Sequence, residues 1–362
     1  MKQSMVTIGF VLIIGVFSVL DLLNPVKAFS EFENRYLATR PSVSVDEIIS
    51  GDFMKDYEAY VNDQFVLRNT WINLKSINEK LLLKKENNNI VFGDEGYLFD
   101  KVFNTPSDIE RQLMYLEEFL TMHEDQSITG MIIPNSFSVL SHLRPEGAPF
   151  IDQLSMIDDW NERFGFLDIN ETLLNHNDEA IYYKSDHHWT LRGAYLAYYD
   201  LVRSLEIEPV DYNELEISLE DGFLGTYYNR ARPLGYEEET LSYFEPDILY
   251  YDVYTEQHDS LIDHNAFEIR DKYRAFMHGN IGFASVVMDE IVEDKILIIK
   301  DSYANSMIPL MTAHFDQIDV VDLRHFSGSL TALIESEDYD HIVFMQNFMQ
   351  FSTDATLARL RY

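Results

Sequence analysis

The sequence predicts an α/β protein, built on a mainly parallel sheet flanked by helices. Three observations carry this. Short, mostly apolar runs (Thr129–Pro134, Lys295–Lys300, Ile318–Leu323 and His341–Gln346) read as strands buried on both faces. Stretches of helical periodicity precede and separate them, above all Ser107–Met122, Ile151–Phe164 and Thr190–Leu205. At 46% apolar and 25% charged, the 362 residues have the composition of a folded chain with a real core.

The elements follow in order. Lys2 precedes an apolar run from Met5 to Leu20, closed by Asp21. The run is short for a span of roughly 20 residues. Val26-Lys27-Ala28 offers small residues at the spacing of a cleavage site. Residues 1–28 are therefore read as a cleaved signal, or as a retained anchor that uses Leu22 and Leu23, and export is expected. Residues 29–90 form an N-terminal helical segment, with helical spacing in Asp46–Phe65 and Trp71–Leu83. Residues 91–362 form the α/β domain, opening on a glycine hairpin, Val91–Phe99. Phe166–Ile169 and Ala180–Lys184 look like strands, and Thr190 caps the helix after them. Residues from about 210 to 290, rich in Tyr, Asp and Glu, read as an irregular β-rich insertion.

Charge and cysteine content exclude several functions. The formal charge of −35 argues against gripping nucleic acid, and against docking on anionic lipid by charge. With no cysteine there are no disulfides, no thiol nucleophile and no thiolate metal site.

Three segments could carry chemistry. Ser185-Asp186-His187-His188-Trp189-Thr190 joins a strand to a helix. In extended chain Asp186 and His188 share a face, so the carboxylate can orient the imidazole as a general base requires, while His187 points away. For the same reason adjacent histidines suit zinc poorly, and no metal is expected. Ser302 follows the buried strand Lys295–Lys300, where a helix start would favour an oxyanion. Asn347 stands at the end of His341–Gln346 as an amide donor. Each alone has a plain structural reading, as a cap or a turn residue. Together they are the parts of acyl transfer by an activated serine.

Ser185–Thr190 resembles the namesake motif of the DHHW family, whose relatives include SGNH-hydrolase-like alginate O-acetyltransferases. The resemblance extends to Phe32-Glu33-Asn34-Arg35-Tyr36-Leu37, Tyr60–Arg68, Gly93–Phe99, Tyr273–Asn280, Lys300–Asn305 and Asp322–His325, in that order. Val66 stands where the family usually has Pro, and Tyr97 where Trp is typical. The resemblance implies a permuted SGNH-like domain. It implies Ser302 as nucleophile, His188 as base and Asp186 as its orienting acid, with Asn347 or Asn280 as oxyanion donor; Gly328 fits the family's glycine block poorly. Arg324 is a substrate clamp or, with Asp322, an ion pair that supports the sheet. The implied activity is extracytoplasmic transfer of an acyl group, expected to be acetyl, to or from an envelope or secreted polysaccharide. No cofactor is needed, and a membrane acyl-donor protein is a further expected partner. The competing reading is a non-catalytic envelope protein that binds glycan or an assembly partner and keeps a relic triad. His258, Asp259, Asp263 and His264 read as a solvated loop, with an ion site as the alternative, and tyrosines within Tyr227–Tyr254 as surfaces for sugar stacking.

Overall fold

The computed structural model describes residues 2–30, 32–33, 35–289 and 294–362, with side chains from Met5 onward. Asn34 of the opening family segment, and Glu290 at the end of the expected insertion, lie outside the described residues. The chain forms two compact units, Met1–Asn87 with Asn229–Tyr236, and Asn88–Tyr228 with Glu237–Tyr362.

In the first unit, helix α1 (Lys2–Leu23) precedes α2 (Val45–Ser50), α3 (Asp52–Gln64) and α4 (Arg68–Leu81). Nineteen residues of α1, Met5–Leu23, are long and apolar enough to cross a membrane. The helix continues through Asp21 because its carboxylate is used: Oδ1 accepts the Val66 N–H at 3.2 Å. Two family-like blocks meet here. Arg35 makes a two-pronged ion pair with Asp63, and Arg68 pairs with Glu33.

The second unit is an α/β layer structure around one seven-stranded sheet. Its strands are β1 (Ile128–Ile133), β2 (Tyr250–Val253), β3 (Glu256–His258), β4 (Phe283–Val287), β5 (Lys295–Lys300), β6 (Gln317–Val321) and β7 (His341–Asn347), in the spatial order β3-β2-β4-β6-β5-β7-β1. The four strands β6-β5-β7-β1 are parallel. Their side chains alternate between two apolar layers. Ile296, Ile298, Val343 and Met345 face one, and Leu297, Ile299, Ile342 and Phe344 the other. Both faces are covered, and this is why these strands read as predominantly apolar runs.

The sheet is mixed, parallel over the four strands β6-β5-β7-β1 and antiparallel on its other side. β2, β3 and β4 all pair antiparallel, with β4 laid on β6. The expected insertion therefore supplies three strands to the main sheet. The reason is local: β2 and β3 are joined by a two-residue turn at Tyr254-Thr255, too short for any parallel crossover. Ile217–Phe223 and Glu239–Phe244 form a separate antiparallel pair. Phe166–Ile169 and Ala180–Lys184 are not strands. The first is an irregular link tied to β1 by Leu167 N–H to Gly130 O at 2.8 Å, and the second makes a single bridge, Tyr182 to Trp189. Tyr227, Tyr243 and Tyr251 are buried core residues rather than an exposed stacking surface, whereas Tyr254 is exposed at the β2–β3 turn.

Gly130 in β1 faces the ring of Phe166, and a Cβ there would lie 2.4 Å from it. Gly130→Ala should cost about 1–3 kcal/mol of stability by overpacking, read as a lower urea midpoint. An unchanged midpoint would mean that Phe166 does not pack on this strand.

Candidate active site

The parallel strands all end on one edge, and the candidate residues gather there, as open α/β sheets dispose them. Ser302 follows β5 directly and opens a short 3₁₀ turn, Ser302–Ser306. The turn is started by Asp301, whose Oδ1 accepts the Tyr303 N–H at 2.9 Å. Pro309 confines the next helix to Ile308–Met311.

The structure brings Asp186, His188 and Ser302 together. His188 Nε2 lies 2.9 Å from Ser302 Oγ, and His188 Nδ1 lies 2.6 Å from Asp186 Oδ1. Asp186 is buried, and both of its carboxylate oxygens are hydrogen-bonded. Oδ1 also accepts the His188 N–H at 3.0 Å, and Oδ2 accepts the N–H and hydroxyl of Thr226 at 2.7 and 3.0 Å. The Thr226 loop comes this close because position 225 is glycine; a Cβ there would sit 2.2 Å from the Asp186 Cβ.

Several supports were missed by sequence reasoning. Tyr273 stacks flat on the His188 ring, with 3.7 Å between centroids and 5° between planes, and its hydroxyl donates to Ser306 Oγ at 3.1 Å. Trp189, fully buried, donates from Nε1 to the Tyr303 carbonyl at 3.0 Å, tying the histidine segment to the serine turn. Glu239 accepts the N–H groups of Lys184 and Ser185, each at 2.7 Å, together with the Ser185 hydroxyl. The glycine hairpin buttresses the same segment through Leu98 N–H to Lys184 O at 2.9 Å. Lys300 is buried beneath the turn and donates to Asn305 Oδ1 at 2.5 Å, and burial pushes its ammonium down to about 8. The sequence signals for these contacts were the Gly93–Phe99, Ser185–Thr190, Tyr273–Asn280 and Lys300–Asn305 blocks as blocks; Glu239 lies in none of them.

The other candidates divide. Asn347 donates its side-chain amide to Asp301, and its Oδ1 caps the following helix through the Gln350 N–H at 3.1 Å. That amide is engaged in bracing the serine turn. Asn280 is exposed and accepts from Asn305 Nδ2 at 3.3 Å. Arg324 grips Asp322 through two hydrogen bonds, 2.8 and 2.5 Å, and its charge reaches Asp301 and His188. Asp263 caps a 3₁₀ helix and His264 pairs with Glu245 at 3.0 Å, so these two members of the acid–histidine cluster serve local structure.

His187 does not point away. Residues 184–188 are bent rather than extended, so strand alternation fails there. The His187 ring centroid lies 3.7 Å from that of His188. Its Nδ1 meets Thr226 Oγ1 at 2.8 Å and stands 3.4 Å from Asp186 Oδ1. Asp186, His187 and His188 thus present atoms within 4.8 Å of one another, a spacing that could hold a metal ion. The ligand atoms fit poorly: both ring nitrogens of His188 and both Asp186 oxygens already have hydrogen-bond partners.

Two imidazoles share one carboxylate, and the electrostatics follow. Burial disfavours the Asp186 anion, but the two histidines outweigh it and hold the carboxyl well below its usual range. Burial also works against His187, yet Asp186 keeps it above the ordinary histidine value. His188 is lowered to about 4, first by burial and then by the neighbouring His187 charge.

Residues 149–321 match the family model described as DHHW protein, so the resemblance read from the motifs holds over that stretch. None of the curated proteins matches. Among solved structures, a DHHW family protein from Eubacterium siraeum aligns with a TM-score of 0.64 at 20% identity, covering 76% of this chain and 95% of that one. Bacillus cereus PatB1 with a sulfonyl adduct aligns with a TM-score of 0.63 at 17% identity, covering 75% and 98%. The O-acetyltransferase domain of Pseudomonas putida AlgJ gives a TM-score of 0.46 at 12% identity over 75% and 98%. At these identities the first two likenesses establish a shared fold.

A base must be neutral to accept a proton. With His188 lowered to about 4, serine-dependent turnover should persist below pH 6 and fall only as pH approaches that value. Removing the His187 charge in His187→Gln should move this acidic limb upward. A limb at the ordinary histidine value in both proteins would contradict the shared-carboxylate geometry.

Proposed function

We propose that the chain is an extracytoplasmic serine acyltransferase or esterase that moves an acyl group, most simply acetyl, to or from a polysaccharide. The observation that carries this is the contiguous run of hydrogen bonds from Asp186 through His188 to Ser302 Oγ. Asp186 and His188 precede Ser302 in the chain, the permuted order of an SGNH-like domain, which supports that reading of the fold. The apolar helix at the amino terminus supports placement outside the cytoplasm.

The steps follow from the geometry. Asp186 holds the proton of His188 on Nδ1, which leaves Nε2 with a lone pair toward Ser302. Ser302 Oγ attacks the carbonyl carbon of the donor ester as its proton passes to Nε2. The tetrahedral oxyanion forms beside the start of the 3₁₀ turn, where the Ser302 N–H has no carbonyl one turn earlier to bond. Asn280 is the better amide donor of the two considered, because Asn347 is held on Asp301. The imidazolium returns its proton to the leaving alcohol and an acyl-serine remains. A sugar hydroxyl, or water, then gives its proton to His188 Nε2 and takes the acyl group, and the imidazolium returns that proton to the departing Ser302 Oγ, restoring both residues. Arg324 adds positive charge to this edge of the sheet while staying paired to Asp322. An acyl donor outside the cytoplasm has to be delivered, so a membrane acyl-donor protein remains part of the proposal.

A sulfonyl fluoride tests the nucleophile directly, and the sulfonyl adduct named for PatB1 recommends the reagent. Phenylmethylsulfonyl fluoride should add one sulfonyl group at Ser302 with loss of fluoride, located by peptide mass spectrometry. The label should disappear in Ser302→Ala and be strongly slowed in His188→Ala. An unlabelled Ser302 in the folded protein would favour a non-catalytic glycan-binding role instead.

A further inference from the structure

Near its amino terminus this acidic chain changes character. Residues 66–85 hold Lys75, Lys80, Lys84 and Lys85 against the single acid Glu79, besides Arg68, which is paired with Glu33, within a protein of charge −35. Apolar side chains share that stretch and stay in solvent. Leu67 just before α4, and Trp71 and Leu74 within it, are exposed, and Leu81, Leu82 and Leu83 follow at 74%, 73% and 84% exposure. Lysines interleaved with exposed leucines and a tryptophan are the composition of a helix that lies in a membrane interface.

The same stretch is fastened to the apolar helix. Trp71 lies 5.7 Å, centroid to centroid, from Phe17 of α1, and Phe65 lies 6.3 Å from it. Phe17 is six residues short of the helix end at Leu23, so Trp71 reaches roughly 9 Å down the apolar helix. The junction is hydrogen-bonded as well. Gln64, buried, donates from Nε2 to the Lys27 carbonyl at 2.8 Å and accepts the Lys27 N–H at 2.9 Å. Asn24 donates to the Gln64 carbonyl at 2.8 Å, and Asp21 accepts from Val66. Cleavage at Ala28 would remove Asp21, Asn24 and Lys27 together and leave the polar ends of Gln64 without these partners.

We propose that α1 is retained as an anchor, and that the α3–α4 elbow with the Leu81–Lys85 tail is a docking surface for anionic lipid, lying in the leaflet at the carboxyl end of α1. The occupant is lipid because the surface continues an apolar helix of membrane length at the depth of Phe17. The charge is complementary too: this patch is basic in an otherwise acidic chain. The whole-chain charge of −35, which argues against lipid docking, hides it.

Trp71 reports on this surface. It is 43% exposed, whereas the other two tryptophans, Trp160 and Trp189, are 6% and 0% exposed and lie in the second unit. The test uses the full chain in vesicles of mixed phosphatidylglycerol and phosphatidylcholine carrying brominated acyl chains. The expected result is quenching of tryptophan fluorescence that is absent in Trp71→Phe, with little quenching of Trp71 by aqueous iodide. Quenching by bromolipid should weaken when Lys80, Lys84 and Lys85 are all changed to Glu, while α1 keeps the protein on the vesicles. Iodide quenching without bromolipid quenching would show a solvated surface and overturn the proposal. Protection from both quenchers would show a protein partner or a second copy there, and would overturn it equally. Recovery of a mature chain beginning at Phe29 from the producing cells would refute the retained anchor.

Discussion

A buried carboxylate holds the candidate site together. Removing an anion from water costs several kcal/mol unless hydrogen bonds replace the lost solvent. Asp186 meets this with the His188 ring and backbone N–H on one oxygen and the Thr226 N–H and hydroxyl on the other. Each donor constrains something further. The His188 ring must turn its other nitrogen toward Ser302, and the Thr226 loop must press so close that residue 225 has no room for a side chain. His187, brought in by the bend at 184–188, takes the remaining approach to Oδ1.

The sheet supplies the other half. Parallel strands place their carboxyl ends along one edge, so residues far apart in sequence meet there without long loops. Ser302 after β5 and Asn347 at the end of β7 are joined through Asp301, which accepts from the Asn347 backbone at 2.8 Å and from its side chain. Asn135, just after β1, reaches both Tyr303 and Asn347. Trp189 then locks the histidine segment onto the serine turn by its bond to the Tyr303 carbonyl. The edge is braced by buried polar contacts, which hold their geometry only when all members are paired.

Much of this was legible in the chain. The apolar runs at 295–300 and 341–346 could be read because double-sided burial leaves no alternation to confuse them. Asp186, His188 and Ser302 could be picked out because their residue types and their positions after apolar runs agree. What failed has physical causes. His187 was misplaced because a two-residue spacing rule holds only in extended chain, and 184–188 bends. The antiparallel strands β2, β3 and β4 looked irregular because they are short and carry mixed polarity. Tyr273 on His188 and Glu239 on Ser185 were invisible because such contacts depend on tertiary folding and leave no periodic trace. The basic stretch at 66–85 was masked by the whole-chain charge.

The central claim is that His188 stands neutral, with its proton on Nδ1 toward Asp186 and a bare Nε2 toward Ser302. Long-range nitrogen–proton NMR of histidine-labelled protein reads this state directly, because each imidazole tautomer and the imidazolium give distinct patterns. The expected state of His188 at neutral pH is the Nδ1–H tautomer, with conversion to imidazolium only as pH approaches about 4. An Nε2–H tautomer, or an imidazolium already present at neutral pH, would leave no lone pair for the serine proton and would contradict it.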